Sequence, residues 1–84
     1  MKLLCINDWD LREDDNLRMQ VVYLMQEPIY RKYTPDPVNP REVSIQEIWG
    51  IPVDTPIATA VALRWPADIW YQTMNYSPAV LGTP

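Results

Sequence analysis

The sequence predicts a small α+β domain. Two or three short antiparallel strands, near residues 2–6, 17–25 and 42–48, pack with short helices near 56–65 and 66–75, and a proline-rich arm spans 28–40. Three observations lead there. Nine prolines among 84 residues limit every helix and central strand, because proline fixes φ and removes a backbone donor. The hydrophobic period changes along the chain, from near-alternation in the first half to helical spacing after Thr55. Hydrophobic residues make up 48% of the chain at a net charge of only −4, which favours a packed core over disorder. A chain of this length holds one domain and buries roughly 60–65% of the surface its unfolded form exposes.

Lys2-Leu3-Leu4-Cys5-Ile6 is an apolar run that stops abruptly at Asn7-Asp8, as a brief buried strand does on meeting a turn. The next eight residues, Asp8 to Asp15, carry five carboxylates. Asp10 and Glu13 have capping-box spacing, so a helix can begin there. Over 17–25 two periods compete. Leu17, Val21 and Leu24 form a helical stripe, whereas Met19, Val21, Tyr23 and Met25 alternate around the β-forming run Val21-Val22-Tyr23. The short length tips the balance to a strand.

Pro28 to Pro40 reads as an extended arm or long loop, since each residue before a proline avoids the α region. Its Pro37-Val38-Asn39-Pro40 matches polyproline-ligand spacing, but Arg41 sits where neither binding orientation needs a cation, so a stiff loop is the better reading. Val43 and Ile45 alternate with Ser44 and Gln46 as in a half-buried strand closed by Gly50; Ile48 breaks the alternation, by a bulge or a helical turn. Thr55-Pro56 is the clearest local signal, a hydroxyl at the N-cap followed by proline at the first helical position. Ile57, Ala58, Val61, Ala62 and Trp65 then share one helical face. Pro66 interrupts and starts a second helix through Asn75, with Ile69, Trp70, Thr73 and Met74 on its buried side. Ser77 to Pro84 is too short and broken for more than extended packing.

Composition excludes more chemistry than it indicates. The chain has no histidine, one cysteine and two glycines, which argues against a histidine-based, thiolate-metal or P-loop site. No active-site constellation, cofactor or metal is expected. Ser44 and Ser77 have no base to activate them, and Cys5 lies in an apolar run as a buried, inert thiol. Asp8, Asp10, Glu13, Asp14 and Asp15 form an acidic surface, but Arg12 occupies a ligand position of the EF-hand template and no glycine makes its turn. The cluster reads as a solvated loop and helix cap, with phosphate mimicry as a weaker possibility. Seven scattered cations form no stripe, so direct nucleic-acid binding is not expected of this sequence. Asn7, Asp8 and Asp10 interrupt any signal-peptide core and no stretch suffices to span a bilayer, which fits a cytoplasmic protein. Asn75-Tyr76-Ser77 matches a glycosylation acceptor by chance.

The aromatic set carries the functional expectation. Four tryptophans and five tyrosines stand beside no phenylalanine, so every ring has a polar handle, and such rings are enriched at protein interfaces. Tyr30, Arg31, Lys32 and Tyr33 combine two rings and two cations in the arm, and with Trp49 they are the expected protein-binding residues. The sequence therefore reads as a non-catalytic small acidic protein that binds another protein, or itself as a homo-oligomer. An accessory, adaptor or inhibitor-like role of viral or mobile-element type is suggested by size alone. The alternatives are a structural subunit of a larger assembly or virion, and a small carboxylate- or metal-dependent enzyme. In this reading Trp65→Ala unfolds the domain and Tyr33→Ala spares it.

Overall fold

Leu3–Asn7 forms strand β1, buried along nearly its whole length. In the computed structural model, which describes residues 2–72, β1 is a central strand of a four-stranded antiparallel sheet. The other strands are β2 (Tyr30–Pro35), β3 (Val43–Pro52) and β4 (Trp70–Gln72), and the spatial order is β2-β3-β1-β4. Helices α1 (Asp8–Leu11), α2 (Asp15–Met25) and α3 (Pro56–Arg64) complete the described fold. The α+β class predicted from sequence is the one observed.

The pairings Leu4↔Ile51 and Ile6↔Trp49 place four apolar side chains on one face of the sheet. Leu11, Val21, Ala58, Val61 and Trp65 from the helical segments close over them to make the core. Each fully buried Leu, Ile or Val contributes on the order of 1.5–3 kcal/mol. The opposite face carries Leu3 and Cys5, both fully buried. Gly50 pairs with Cys5, and a Cβ there would stand 2.9 Å from Leu3 Cδ1 and 3.0 Å from Ile29 Cδ1. The missing side chain is what lets Ile29 lie across the back of the sheet.

Residues 17–25 are helix, not strand. Asp14 caps α2 by accepting the Leu17 N–H at 3.1 Å, so the helix begins two residues earlier than the Leu17 stripe implied. Val21 is fully buried, Leu17, Val22 and Met25 pack beside it, and the alternating Met19 and Tyr23 face outward. Cap and core contacts together outweigh the β preference of Val21-Val22-Tyr23. Asp10 and Glu13 do not form the capping pair; Asn7 caps α1 through the Trp9 N–H at 3.2 Å.

The arm at 28–40 is also corrected, because Tyr30–Pro35 is strand β2. Pro35 fits there because β2 is an edge strand, where its missing donor faces solvent. The turn that follows is held by Asp36 Oδ1, which accepts from Val38 N–H at 2.7 Å and Asn39 N–H at 3.2 Å, and by Asp36 N–H donating to the Glu42 carbonyl at 2.9 Å. Strand β3 outruns the expected 42–48, passing through Gly50 without a break. Its register with β1 and with β2 runs on unbroken, so Ile48 marks neither a bulge nor a helical turn. It simply sits on the other face.

Helix α3 starts as predicted. Thr55 Oγ1 accepts the Ala58 N–H at 3.2 Å with Pro56 behind it, and Trp65 leaves the helix in extended backbone (φ −122°, ψ 150°) because Pro66 excludes the α region from it. The second helix expected at 66–75 is absent over its described part. A turn closed by Ile69 N–H to Pro66 O at 2.9 Å leads into β4, which pairs with Leu4–Ile6 of β1. The open edge of β1 offers ladder bonds, and Trp70 Nε1 donates to Trp65 O at 3.0 Å, which fixes the turn. Residues 73–75, Tyr76 and the tail from Ser77 lie outside the described residues.

Candidate functional site

The two halves of β3 have different surroundings. Residues 48–52 pair with β1 and residues 43–48 with β2, so Ile48 alone is paired on both sides. Residues 43–47, at about 3.3 Å each, carry this two-stranded β2–β3 ribbon roughly 16 Å beyond the end of the β1 pairing. All six residues of β2 and the first four of β3 are exposed. A ribbon this thin has no layer to cover its apolar side chains.

Those side chains gather on one face. The pairings Arg31↔Glu47, Tyr33↔Ile45 and Pro35↔Val43 put Tyr33, Ile45 and Val43 side by side. Trp9, projecting from α1, shares a cleft of about 420 Å³ with Val43, Ile45 and Arg12. Relative exposures are 77% for Trp9, 59% for Tyr33, 57% for Ile45 and 50% for Val43. Four large apolar residues on one open shelf differ from the scattered exposed side chains any surface carries.

The floor behind the shelf is ionic and rigid. Asp8 is only 3% exposed and accepts from Trp49 Nε1 at 2.9 Å, Arg12 Nε at 2.8 Å and Arg18 Nε at 2.9 Å. Burial alone pushes its pKa up, but the hydrogen bonds from Trp49, Arg18 and Arg12 outweigh burial and hold the carboxyl below its ordinary 3.8. One side chain thereby joins the end of β1 to β3, α1 and α2. Across the ribbon, Arg31 Nη2 meets Glu47 Oε2 at 2.8 Å, and this hydrogen bond raises the guanidinium above its ordinary value. Both carboxylates beside the cleft are thus engaged by cations. Among the described residues no three His, Cys, Asp or Glu side chains gather as metal ligands. No helix among them is long and apolar enough to cross a membrane.

No protein-family model matches this chain, and no curated protein or solved structure does.

The expected binding residues separate into two groups. Tyr30, Arg31, Lys32 and Tyr33 all lie exposed in β2. Tyr33 and Arg31 face the shelf, while the register puts Tyr30 and Lys32 on the ribbon's other side with Ile48 and Gln46. Trp49 belongs to the core, because its place opposite Ile6 turns the indole inward to Asp8. The acidic set also divides. Asp8 is buried and does not contribute to an acidic surface, Asp14 is a half-buried helix cap 3.5 Å from Arg64, Asp10 is half-buried, and Glu13 and Asp15 are exposed.

Sequence reasoning missed Trp9, Val43 and Ile45. For Trp9 no local signal existed, since two flanking acids suggest that the indole turns inward, whereas Asp8 is the buried residue and Trp9 the exposed one. Val43 and Ile45 alternate as a buried face does, and nothing local reveals that β1 ends before covering them. A second apolar surface lies on α2, where Met19, Tyr23 and Leu24 with Ile57 line an open groove of about 660 Å³.

Proposed function

We propose that this protein is a non-catalytic binding module whose projecting β2–β3 ribbon docks another protein through Trp9, Tyr33, Val43 and Ile45. The observation that carries this reading is the apolar shelf itself. Three large side chains, Tyr33, Val43 and Ile45, stand on a two-stranded ribbon beyond the core and a fourth, Trp9, projects beside them from α1, all exposed where they do little for the fold. Trp and Tyr are frequent anchors of protein interfaces, and Arg12 at the cleft supplies a rim cation of the kind that flanks such anchors. The engaged state of Asp8 and Glu47 favours binding over acid–base chemistry at the same cleft.

The test is capture from the native host with the wild-type chain and with Trp9→Ala, Tyr33→Ala and Ile45→Ser variants. The proposal expects one protein to co-purify with wild type and to be lost with each variant, while thermal melts stay within about 0.5 kcal/mol, as for ordinary surface changes. Retention of that protein by all three variants would refute the assignment of the shelf.

A second reading, a subunit of a larger assembly, is supported by the separate groove on α2, since a subunit inside an array needs two contact surfaces. Sedimentation as a monomer across a hundredfold concentration range would count against it.

A further inference from the structure

We propose that the free edge of β2 accepts an extended segment of another protein as an additional antiparallel or parallel strand, and that this segment places a carboxylate beside Lys32. The inference rests on the reading of the ribbon as a protein-binding surface and adds the mode of binding and the chemistry of the occupant.

Three observations fix which backbone groups are free. Val53 N–H donates to Lys2 O at 3.2 Å, which continues the β1–β3 ladder and turns the backbone of Trp49 and Ile51 toward β1. The even residues of β3 therefore face β2, and the Asp36 N–H bond to Glu42 O and the Ile29 N–H bond to Ile48 O, both 2.9 Å, agree with that alternation. Pro35, paired with Val43, supplies the third observation, because its missing donor is tolerated only on the outward side. It follows that Lys32 and Thr34 bond inward to Gln46 and Ser44. Arg31 and Tyr33 direct N–H and C=O outward, two residues apart, as a ladder for an incoming strand.

The side chains say what that strand carries. On one face it lies beside Tyr33 and continues the shelf of Ile45, Val43 and Trp9, which selects apolar residues. On the other face it meets Lys32, an exposed ammonium on the outermost strand, which selects Asp or Glu. Because side chains alternate along a strand, the occupant carries its carboxylate between two apolar residues. A second copy of this chain is a poor occupant. Antiparallel pairing of β2 with β2 centred on residue 32 sets Lys32 against the same cation of the other copy, and like charges across strands destabilise pairing. Lysine on an edge strand is a recognised device against such self-association.

The experiment is selection of random nine-residue peptides displayed on phage against the full chain, followed by affinity measurement of the recovered peptides as synthetic molecules. The result expected is sequences with one acidic residue between apolar ones that bind wild type, bind Tyr33→Ala more weakly but still measurably, and bind Tyr33→Pro at least about tenfold more weakly than Tyr33→Ala. Proline at 33 removes only an outward N–H, so circular dichroism should show the fold intact. Lys32→Glu serves as an independent variant and should invert the selected charge from acidic to basic. Equal binding to Tyr33→Pro and Tyr33→Ala, or no change of charge with Lys32→Glu, overturns strand addition while leaving the shelf as a binding surface. Peptides indifferent to Trp9→Ala, Tyr33→Ala and Ile45→Ser overturn the binding surface too, and recovery of no peptide overturns the inference.

Discussion

Replacing Asp8 tests whether one buried carboxylate ties the sheet to its helices. The Trp49 bond is buried and charge-assisted, worth on the order of 1.5–3 kcal/mol. Arg18 and Arg12 are partly and largely exposed, so solvent screening reduces each pair to about 0.2–1 kcal/mol. Asp8→Ala removes all three interactions and leaves the indole N–H without its acceptor, for a loss of about 3 kcal/mol. An 84-residue domain has a total stability of roughly 4–12 kcal/mol, so the variant should be folded but visibly weakened. In urea the midpoint should fall by about 1–3 M at unchanged slope. The pH dependence gives a second readout. The folded-state pKa of Asp8 is depressed, so its contribution is complete above the unfolded value near 3.8 and is lost as pH drops through the lower folded value. Asp8→Asn keeps an oxygen for the indole but has no charge to titrate. The gap in stability between wild type and Asp8→Asn should therefore narrow as pH falls from 5 toward 2. A cost below about 1 kcal/mol for Asp8→Ala, or a gap that stays constant across that range, would refute the reasoning.

Two further outcomes follow from packing. Gly50→Ala forces a methyl against the fully buried Leu3 and against Ile29, and calorimetry should show a loss of about 1–3 kcal/mol from overpacking. Trp65 is 5% exposed, with Arg64 stacked 4.9 Å from its ring centroid and no hydrogen-bond partner for Nε1 among the described residues. Trp65→Ala should cost about 3–5 kcal/mol in chemical denaturation. Trp65→Phe loses some volume but also the orphan donor, and should cost clearly less; equal losses would mean that the indole nitrogen is satisfied in solution.

The parts of the fold legible in the sequence are those whose signal is local. Leu3–Ile6 is apolar on both faces because β1 is covered on both, and Thr55-Pro56 starts α3 through its own side chain and ring. The parts that were not legible depend on distant partners. Residues 17–25 carry two valid periods, and the choice is made by α3 and β3 packing against Val21. Tyr30–Pro35 becomes a strand because β3 accepts it, despite the prolines around it. Trp70–Gln72 extends rather than coils because β1 has an unoccupied edge. At the candidate site, ring chemistry and cations pointed to Tyr33 and Arg31. Trp49 was misplaced because an aromatic beside a glycine looks peripheral until its strand is known to continue through that glycine. Trp9, Val43 and Ile45 come together only through the third dimension.

The uninterrupted course of β3 has a mechanical consequence. Its inner half is clamped in the interior, with the indole of Trp49 fastened to Asp8, while its outer half is the backbone of the ribbon, with no hinge between them. Whatever grips the outer half pulls on a cantilever rooted in the core, so a tug at the tip is felt at the indole rather than absorbed by a slack joint.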